Sequence, residues 1–300
     1  MTSITTPPRV SHLALPRGRR LALTPGAPKL VGIVNITPDS FSDGGLCLEP
    51  RRATDHALAL LAEGAEVLDL GAESTRPGGG VYGAGASAVA TGEELARLLP
   101  VLELLRPRTD APISVDTRKA EVARAAIAAG ADLINDVSAL ADPGMAAVVA
   151  EAGCPVVLMH SRGALPTMQV GIAFRDVAVE VRAELAALAE RARCMGIAAA
   201  SIVVDPGLGF GKTAAQNLEL LRRLPELAEL GYPILVGASR KSFLGAVTGA
   251  PAADRVPESL AAAVWAASGG AALLRVHDVG ETRRFLASWR AIAAGMEASS

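Results

Sequence analysis

Short apolar runs alternate with longer Ala- and Leu-rich segments along most of the chain. Each apolar run ends in polar residues, and each longer segment is typical of a helix. The apolar runs cover residues 30–35, 66–71, 112–116, 133–136, 155–160, 201–205, 233–238 and 271–277. The helical segments lie near residues 50–64, 91–106, 118–129, 143–152, 174–195, 214–230, 256–268 and 279–294. Continuously apolar strands separated by helices predict a parallel sheet that is covered by helices.

The number of these strand–helix units predicts the fold class. Eight units within about 250 residues match an α/β protein with a single (β/α)8 barrel of the TIM type. A doubly wound open sheet is the alternative, but it usually has fewer strands and a Gly-rich first turn. We expect the barrel domain to span residues 18–296, with a short N-terminal hairpin near residues 20–29. Residues 1–17 are rich in Thr, Pro and Ser without periodicity, which predicts a disordered tail.

The balance of charge excludes some classes of partner. The 300 residues include 29 Lys and Arg against 31 Asp and Glu, which gives a net charge of −2. A chain so close to neutral is not typical of proteins that bind nucleic acid or a membrane surface through bulk charge. Because 50% of the residues are hydrophobic, a largely disordered chain is also excluded.

The cysteines and the apolar runs indicate where the protein works. Cys47, Cys154 and Cys194 are odd in number and lack CxxC spacing, which disfavours a disulfide framework or a zinc ribbon. No uninterrupted apolar run approaches the roughly 18–20 residues of a membrane span. The N-terminus also lacks the apolar core of a signal peptide. We therefore expect a cytoplasmic protein.

A polar residue stands at or just after the end of nearly every predicted strand. In a (β/α)8 barrel the carboxyl ends of the strands converge on one mouth, where active sites are built. A random scatter of polar residues would not place one at almost every strand end, so the pattern predicts an enzyme. These residues are Asn35, Glu73, Asp116, Asn135, His160, Asp205, Ser239 and His277.

Two loops carry residues suited to a phosphorylated ligand. Residues 32–45 bring two aspartates, three hydroxyls and an amide after the first strand, which suits a metal-diphosphate site, since Mg²⁺ takes few protein ligands. Residues 73–80 carry Arg76, which suits phosphate or carboxylate binding. The segment DPGLGFGKT (205–213) is not a P-loop, because only three residues separate Gly207 from Gly211.

Two further sets of residues predict the ligand's chemistry. Carboxylates and an amide inside a barrel mouth are costly unless they are hydrogen-bonded, so Asp116, Asn135 and Asp205 indicate either a buried network with Arg118 or recognition of a flat heterocycle. The segments 237–245 and 275–277 place several cations after the seventh and eighth strands, which favours anion binding. A Schiff-base role for the lysine of the first segment is the alternative.

These motifs together resemble bacterial dihydropteroate synthases, from about residue 30 to residue 290. The matching segments are GIVNITPDSFSDGG, GAESTRPG, SVDTRKAEVA, LINDVSAL, VVLMH, DPGLGFGKT, LVGASRKSFLG and RVHDV. The resemblance implies a TIM barrel and a step of folate biosynthesis that is the sulfonamide target. In that step (7,8-dihydropterin-6-yl)methyl diphosphate and 4-aminobenzoate give 7,8-dihydropteroate and diphosphate. The resemblance also implies Mg²⁺ as cofactor and a cytoplasmic homodimer, with neither nucleic acid nor membrane as partner.

The resemblance further implies a role for individual residues. It gives catalytic roles to Lys241, Arg275 and His277 and assigns Asn35 to Mg²⁺. It implies that the substrates are bound by Phe41, Thr75, Arg76, Pro77, Asp116, Asn135, Asp205, Phe210, Lys241, Ser242, Arg275 and His277. Of these, Phe41, Pro77, Phe210 and Ser242 shape the 4-aminobenzoate pocket. Since positive charge builds on the pterin methylene as diphosphate leaves, we expect an SN1-like substitution.

Two other hypotheses remain at this point. A barrel of the methyltransferase type that binds a pterin could use a similar Asp, Asn and Asp set, but it needs neither the cations after the last two strands nor the long first loop. A non-catalytic pterin-binding paralogue would retain the binding residues without turnover.

Overall fold

The computed structural model describes residues 10–36, 49–74, 89–163, 168, 170–171 and 173–294. The strands within them are β1 (His12–Ala14), β2 (Arg20–Ala22), β3 (Lys29–Asn35), β4 (Val67–Gly71), β5 (Ile113–Asp116), β6 (Leu133–Asp136), β7 (Val156–Met159), β8 (Ile202–Asp205), β9 (Leu235–Val236) and β10 (Leu273–Val276). The helices are α1 (Glu49–Glu63), α2 (Thr91–Leu105), α3 (Ala120–Ala128), α4 (Met145–Ala152), α5 (Val177–Cys194), α6 (Ala214–Arg222), α7 (Leu224–Ala228), α8 (Ser242–Thr248), α9 (Val256–Ser268) and α10 (Val279–Ala294). In this part of the chain no helix is long and apolar enough to cross a membrane.

Eight of the described strands, β3 to β10, form one parallel sheet in the order β8-β7-β6-β5-β4-β3-β10-β9. The two edges of this sheet meet, because Val204 and Ile234 form a parallel bridge. The amide of Val204 also donates to the carbonyl of Pro233 over 2.9 Å. The sheet therefore curls into a nearly closed barrel with helices between its strands, which confirms the predicted (β/α)8 fold.

Two helical segments differ from the prediction. The segment expected as one helix over 214–230 is divided at Arg223 into α6 and α7. Pro225 lies in the first turn of α7, where its missing amide is tolerated, whereas inside a continuous helix it would break a hydrogen bond. The short helix α8 is not among the predicted helical segments, since its seven residues include Gly245 and are followed by Gly249.

The N-terminal hairpin begins earlier in the chain than expected. Residues 12–14, which we placed in a disordered tail, form β1 and pair antiparallel with β2. The reason is burial, because Leu13 and Leu15 of this segment are 0% and 5% exposed. They pack with Val31, Val67, Leu133, Val157, Val203, Leu235 and Leu273 near the amino-terminal ends of the barrel strands. The hairpin therefore closes the end of the barrel opposite the mouth.

A buried aspartate fastens this hairpin to the barrel. Asp132, which precedes β6, accepts hydrogen bonds from Arg17 (2.5 Å), Arg19 and Arg106 (3.2 Å). Its second oxygen also accepts from the amide of Ile113 at the start of β5 over 3.0 Å. A buried carboxylate with this many donors is satisfied, so it stabilises the closed end and is not a candidate for chemistry.

The alternation of side chains along each strand determines which residues face the inside of the barrel at the mouth. Residues two apart on a strand share a face, so the apolar layer at the closed end is followed inside the barrel by polar positions. On β4 the sequence Val67, Asp69 and Gly71 shows this change, and on β10 Leu273 is followed by Arg275. The intervening residues face the helices and form the main hydrophobic core.

Candidate active site

A single arginine on β10 joins two buried carboxylates from the other side of the mouth. The Nε atom of Arg275 donates to Asp69 Oδ2 over 2.6 Å, and its Nη2 atom donates to Asp116 Oδ2 over 3.1 Å. Asp69 Oδ2 also accepts from Asn135 Nδ2 over 3.3 Å. The strands β10, β4, β5 and β6 therefore deliver four polar side chains to one connected network.

Each of the two carboxylates keeps one oxygen without a partner. Asp69 Oδ1 and Asp116 Oδ1 are buried and accept no hydrogen bond. Burial raises the pKa of Asp116 above its usual range, although the charge of Arg275 opposes the shift. Buried acceptors without donors are rare in proteins, so these two oxygens indicate a ligand that brings N–H or O–H groups.

The end of β8 adds a third carboxylate and a lysine. Asp205 Oδ1 accepts from the amide of Gly207 over 2.7 Å, and burial raises the pKa of Asp205. Burial lowers the pKa of Lys241 to about 8, while the charge of Asp205 opposes this. Lys241 donates to the carbonyl of Leu208, and its Nζ atom lies 4.6 Å from the centre of the Phe210 ring.

His277 lies beside this cluster as a neutral imidazole. Ser239 Oγ accepts from the backbone amide of His277 over 3.2 Å and lies 3.0 Å from its Nδ1 atom. Burial, together with the charge of Arg275, lowers the pKa of His277 to about 4. Ser239 Oγ can donate to Nδ1 or accept from it, so this contact is compatible with either neutral tautomer of the ring.

Comparison with known proteins identifies the family. Residues 31–277 match the pterin binding enzyme family. The dihydropteroate synthase of Synechocystis sp. is 46% identical over 252 residues, which cover 83% of this chain and 85% of that protein. A structure of Xanthomonas albilineans dihydropteroate synthase with 4-aminobenzoic acid has a TM-score of 0.87 and 47% identity, covering 96% of this chain and 100% of that one. A second structure of that enzyme, in complex with 7,8-dihydropteroate, has a TM-score of 0.83 and 44% identity over 95% of this chain and 100% of that one.

The chain belongs to the dihydropteroate synthase family. Of the residues that the family resemblance implied, the structure brings Asp116, Asn135 and Arg275 together in one network. Asp205, Lys241 and Phe210 form a neighbouring group at the same mouth, because the charges of Asp205, Arg275 and Asp116 all act on Lys241. The structure therefore places these residues close together at one mouth of the barrel.

The remaining family residues lie at the edge of the mouth or outside the description. Asn35 ends β3 opposite Gly71 of β4 and is exposed, and Ser242 begins α8 next to Lys241. Phe41, Thr75, Arg76 and Pro77 lie outside the described residues, as do the two aspartates of the first loop.

Two cations expected at the mouth are engaged elsewhere. Arg240 donates through Nε to Asp278 Oδ2 over 3.0 Å, and its backbone has a φ of +57°. It is therefore an ion-paired residue of the β9–α8 turn and not a free cation for an anion. Arg118 donates to Glu73 over 2.9 and 3.0 Å, so the buried network of Asp116 is completed by Arg275 and not by Arg118.

Glu73 organises the segment that follows β4. Besides Arg118 it accepts from Lys119 over 3.1 Å and from the amide of Val89 over 2.9 Å. These donors lower the pKa of Glu73 to about 2 despite the opposing effect of burial. A permanently ionised Glu73 therefore connects the end of β4 with the start of α2 and the end of β5.

Sequence reasoning missed Asp69, which is 1% exposed and central to the network. It lies inside the second predicted strand and not at its end, so the search for polar strand ends passed over it. The signal was present nevertheless, because Asp69 is two residues before Gly71 and shares the inward face.

We predict that the lowered pKa of His277 depends on Arg275. The imidazole remains neutral in the folded protein down to about pH 4, whereas an unfolded histidine binds a proton near pH 6.5. Between these two values the unfolded state binds more protons, so His277 contributes stability that is lost as pH falls from 6.5 towards 4. Replacing Arg275 with Met removes one cause and should raise the pKa of His277.

Histidine NMR titrations of the unmodified protein and of Arg275→Met measure this shift. The variants His277→Gln and His56→Gln assign the signals, since His56 is an exposed residue of α1. An identical pKa of His277 in both proteins would contradict the arrangement described here.

Proposed function

We propose that the chain condenses (7,8-dihydropterin-6-yl)methyl diphosphate with 4-aminobenzoate to give 7,8-dihydropteroate and diphosphate. Membership of the dihydropteroate synthase family supports this reaction. The structural observation that carries the proposal is the pair of buried, unpartnered carboxylate oxygens on Asp69 and Asp116. A reduced pterin presents several N–H donors along one edge, which is the complement of such acceptors.

The carboxylates and the amide give the pterin its orientation. Asp116 and Asp205 accept N–H hydrogen bonds from the ring, and Asn135 can both donate and accept. Because these side chains are buried, hydrogen bonds to them are stronger than in water, and an unmatched ring would leave them unsatisfied. Asp69 offers its free Oδ1 atom in the same way and also holds Arg275 and Asn135 in place through Oδ2.

The diphosphate leaves towards the residues that follow β9 and β10. Burial disfavours the charge of Arg275, but Asp69 and Asp116 outweigh burial and its pKa is raised, so it stays cationic. His277 is neutral in the free protein, and in the tautomer whose Nδ1 accepts from Ser239 it contributes an Nε2–H donor rather than a charge. Donors placed where negative charge develops commonly contribute about 3–4 kcal/mol each to a transition state.

Carbon–oxygen bond cleavage then precedes attack by the amine. The electron pair of the C–O bond leaves with diphosphate, and the positive charge on the pterin methylene is stabilised by the reduced ring and by nearby Asp116 and Asp205. The neutral aryl amine of 4-aminobenzoate forms the C–N bond with its lone pair. The resulting ammonium is acidic and gives its proton to diphosphate or water, so no strong general base is required.

Mg²⁺ fits the residues at the mouth as a partner of the substrate. The described residues contain no group of three or more His, Cys, Asp or Glu that could hold a metal by themselves. The exposed amide of Asn35 offers one oxygen at the end of β3, which suits a cation that keeps waters and phosphate oxygens as its other ligands. When bound there, Mg²⁺ would neutralise charge on the diphosphate.

We also propose that the chain acts as a homodimer in the cytoplasm, with a catalytic domain made of the predicted residues 18–296 and of strand β1 before them. Val247 and Trp265 are 63% and 53% exposed on a groove between α6, α8 and α9, and a second copy would cover this apolar surface. Cys154 and Cys194 are free thiols, which agrees with a reducing compartment. A monomer in sedimentation at micromolar concentration would contradict the dimer.

An assay of the purified chain tests the proposed reaction. With the pterin diphosphate, 4-aminobenzoate and Mg²⁺ we expect 7,8-dihydropteroate and diphosphate in equal amounts. Binding of the pterin without any dihydropteroate would instead favour a non-catalytic paralogue. Transfer of a methyl group from a methylated reduced folate would favour the methyltransferase hypothesis, against which the named relatives speak.

We predict that Asp205→Asn weakens binding of the pterin more than it affects 4-aminobenzoate. The amide retains an oxygen for the Gly207 amide but loses the charge that accepts ring N–H groups, a loss of about 1.5–3 kcal/mol or roughly 10–100-fold in affinity. Calorimetry with the pterin diphosphate measures this change. The matched control is Asp254→Asn, which removes an exposed aspartate before α9. Equal pterin affinity in both variants would contradict the assignment of Asp205.

A further inference from the structure

A second lysine lies buried beneath the loop that connects β8 with α6. Lys212 is 4% exposed, although its ammonium must be desolvated to reach this position. Its Nζ atom lies 3.0 Å from each of the carbonyl oxygens of Gly207 and Phe210 and 3.5 Å from that of His160. Within the described residues it forms no ion pair, so backbone carbonyls are its main partners.

His160 and Glu184 fix the ammonium from the other side. His160 is 1% exposed, with Nδ1 at 3.0 Å from Lys212 Nζ and Nε2 at 2.9 Å from Glu184 Oε2. Burial and the charge of Lys212 lower the pKa of His160 to about 4, so its ring is neutral. Because an ammonium can only donate, Nδ1 accepts, and the ring proton on Nε2 donates to Glu184.

The loop above Lys212 has no room to shift towards β7. Gly207 has a φ of +65°, and a Cβ atom at this position would lie 1.9 Å from the carbonyl oxygen of His160. A glycine is therefore required where the loop crosses the end of β7. From the mouth side, Lys241 donates to Leu208 and lies over the ring of Phe210. The loop is thus held between two lysines on opposite sides.

We propose that Lys212 is a positioning residue that fixes the ring of Phe210, and that His160 and Glu184 in turn fix Lys212. The proposal rests on the proposed function, in which Phe210 shapes the site of 4-aminobenzoate. Lys212 holds the carbonyl of Phe210 itself and that of Gly207 three residues earlier, so it determines how far the ring extends into the mouth. Of the strand residues that contact the pterin in the proposed function, Asn135 lies on β6 away from this loop, and Asp205 meets the loop through the amide of Gly207.

Substitution of Lys212 should affect the two substrates differently. In Lys212→Met, which keeps an unbranched apolar side chain, we expect the KM for 4-aminobenzoate to rise about tenfold or more. The affinity for the pterin diphosphate in calorimetry should fall by a clearly smaller factor, because of the residues that hold the pterin only Asp205 adjoins this loop. A merely structural role would instead reduce the folded fraction and leave the KM of the folded enzyme unchanged.

A second variant tests the positioning role of Lys212 if Lys212→Met does not fold. Glu184 is 41% exposed, so we expect Glu184→Ala to fold. It removes the partner of His160 Nε2 and one of the two glutamates that pair with Arg162. We expect a smaller rise of the same KM, about threefold. The matched control is Glu219→Ala. Glu219 lies on α6 and pairs with Arg222 and Arg223, so its loss should leave the KM for 4-aminobenzoate and the pterin affinity unchanged.

Three outcomes are distinguishable. The proposal is overturned if the KM for 4-aminobenzoate is unchanged in both variants, or if the pterin affinity falls in parallel with it. If the unmodified chain forms no dihydropteroate, the proposed function fails instead. Amide hydrogen exchange over residues 206–211 then tests the positioning alone, with faster exchange expected in Lys212→Met, and equal exchange overturns it.

Discussion

The site depends on one ionic arrangement, in which Arg275 is shared by Asp69 and Asp116 inside the barrel mouth. When both carboxyl groups are ionised, they and the one guanidinium leave the cluster with an excess negative charge, and two of their oxygens have no donor. Such a cluster costs several kcal/mol relative to apolar packing, and nothing in the closed end of the barrel requires it. The apolar layers elsewhere in the barrel therefore offset the cost of this cluster. The two free oxygens need donors from a ligand, since the described protein residues supply none.

The two ends of the barrel divide stability from chemistry. At the closed end, Leu13 and Leu15 of the hairpin bury themselves against the first residues of the strands, and Asp132 is fully paired with arginines. At the mouth, Asp69 of β4 and Asp205 of β8 lie two positions beyond Val67 and Val203, and Asp116 ends β5. Parallel strands with a side-chain period of two allow both layers within four or five residues. Beneath the β8–α6 loop, Lys212 then fixes the backbone that carries the Phe210 ring at the mouth.

Much of this could be predicted from the sequence, but for different reasons. The barrel followed from eight apolar strands alternating with helices, and Asp116, Asn135 and Asp205 followed from their places at strand ends. The first strand of the hairpin was missed because three residues with a single buried leucine carry no periodic signal. The pairing of Arg275 with Asp69 joins residues 206 apart in the chain, and no local pattern reports such a contact. For the same reason Arg240 was expected to be available for an anion and Arg118 was expected to pair with Asp116, whereas their partners are Asp278 and Glu73.

The buried carboxylates of the mouth serve to bind the ligand and do not stabilise the fold. Asp116→Asn tests this claim most directly, since the amide still accepts from Arg275 while Asp69 alone balances the guanidinium. We expect the free variant to be at least as stable as the unmodified protein in urea unfolding at pH 7, while its affinity for the pterin diphosphate falls by about tenfold or more. A variant that is clearly less stable yet binds the pterin as tightly as before would contradict it.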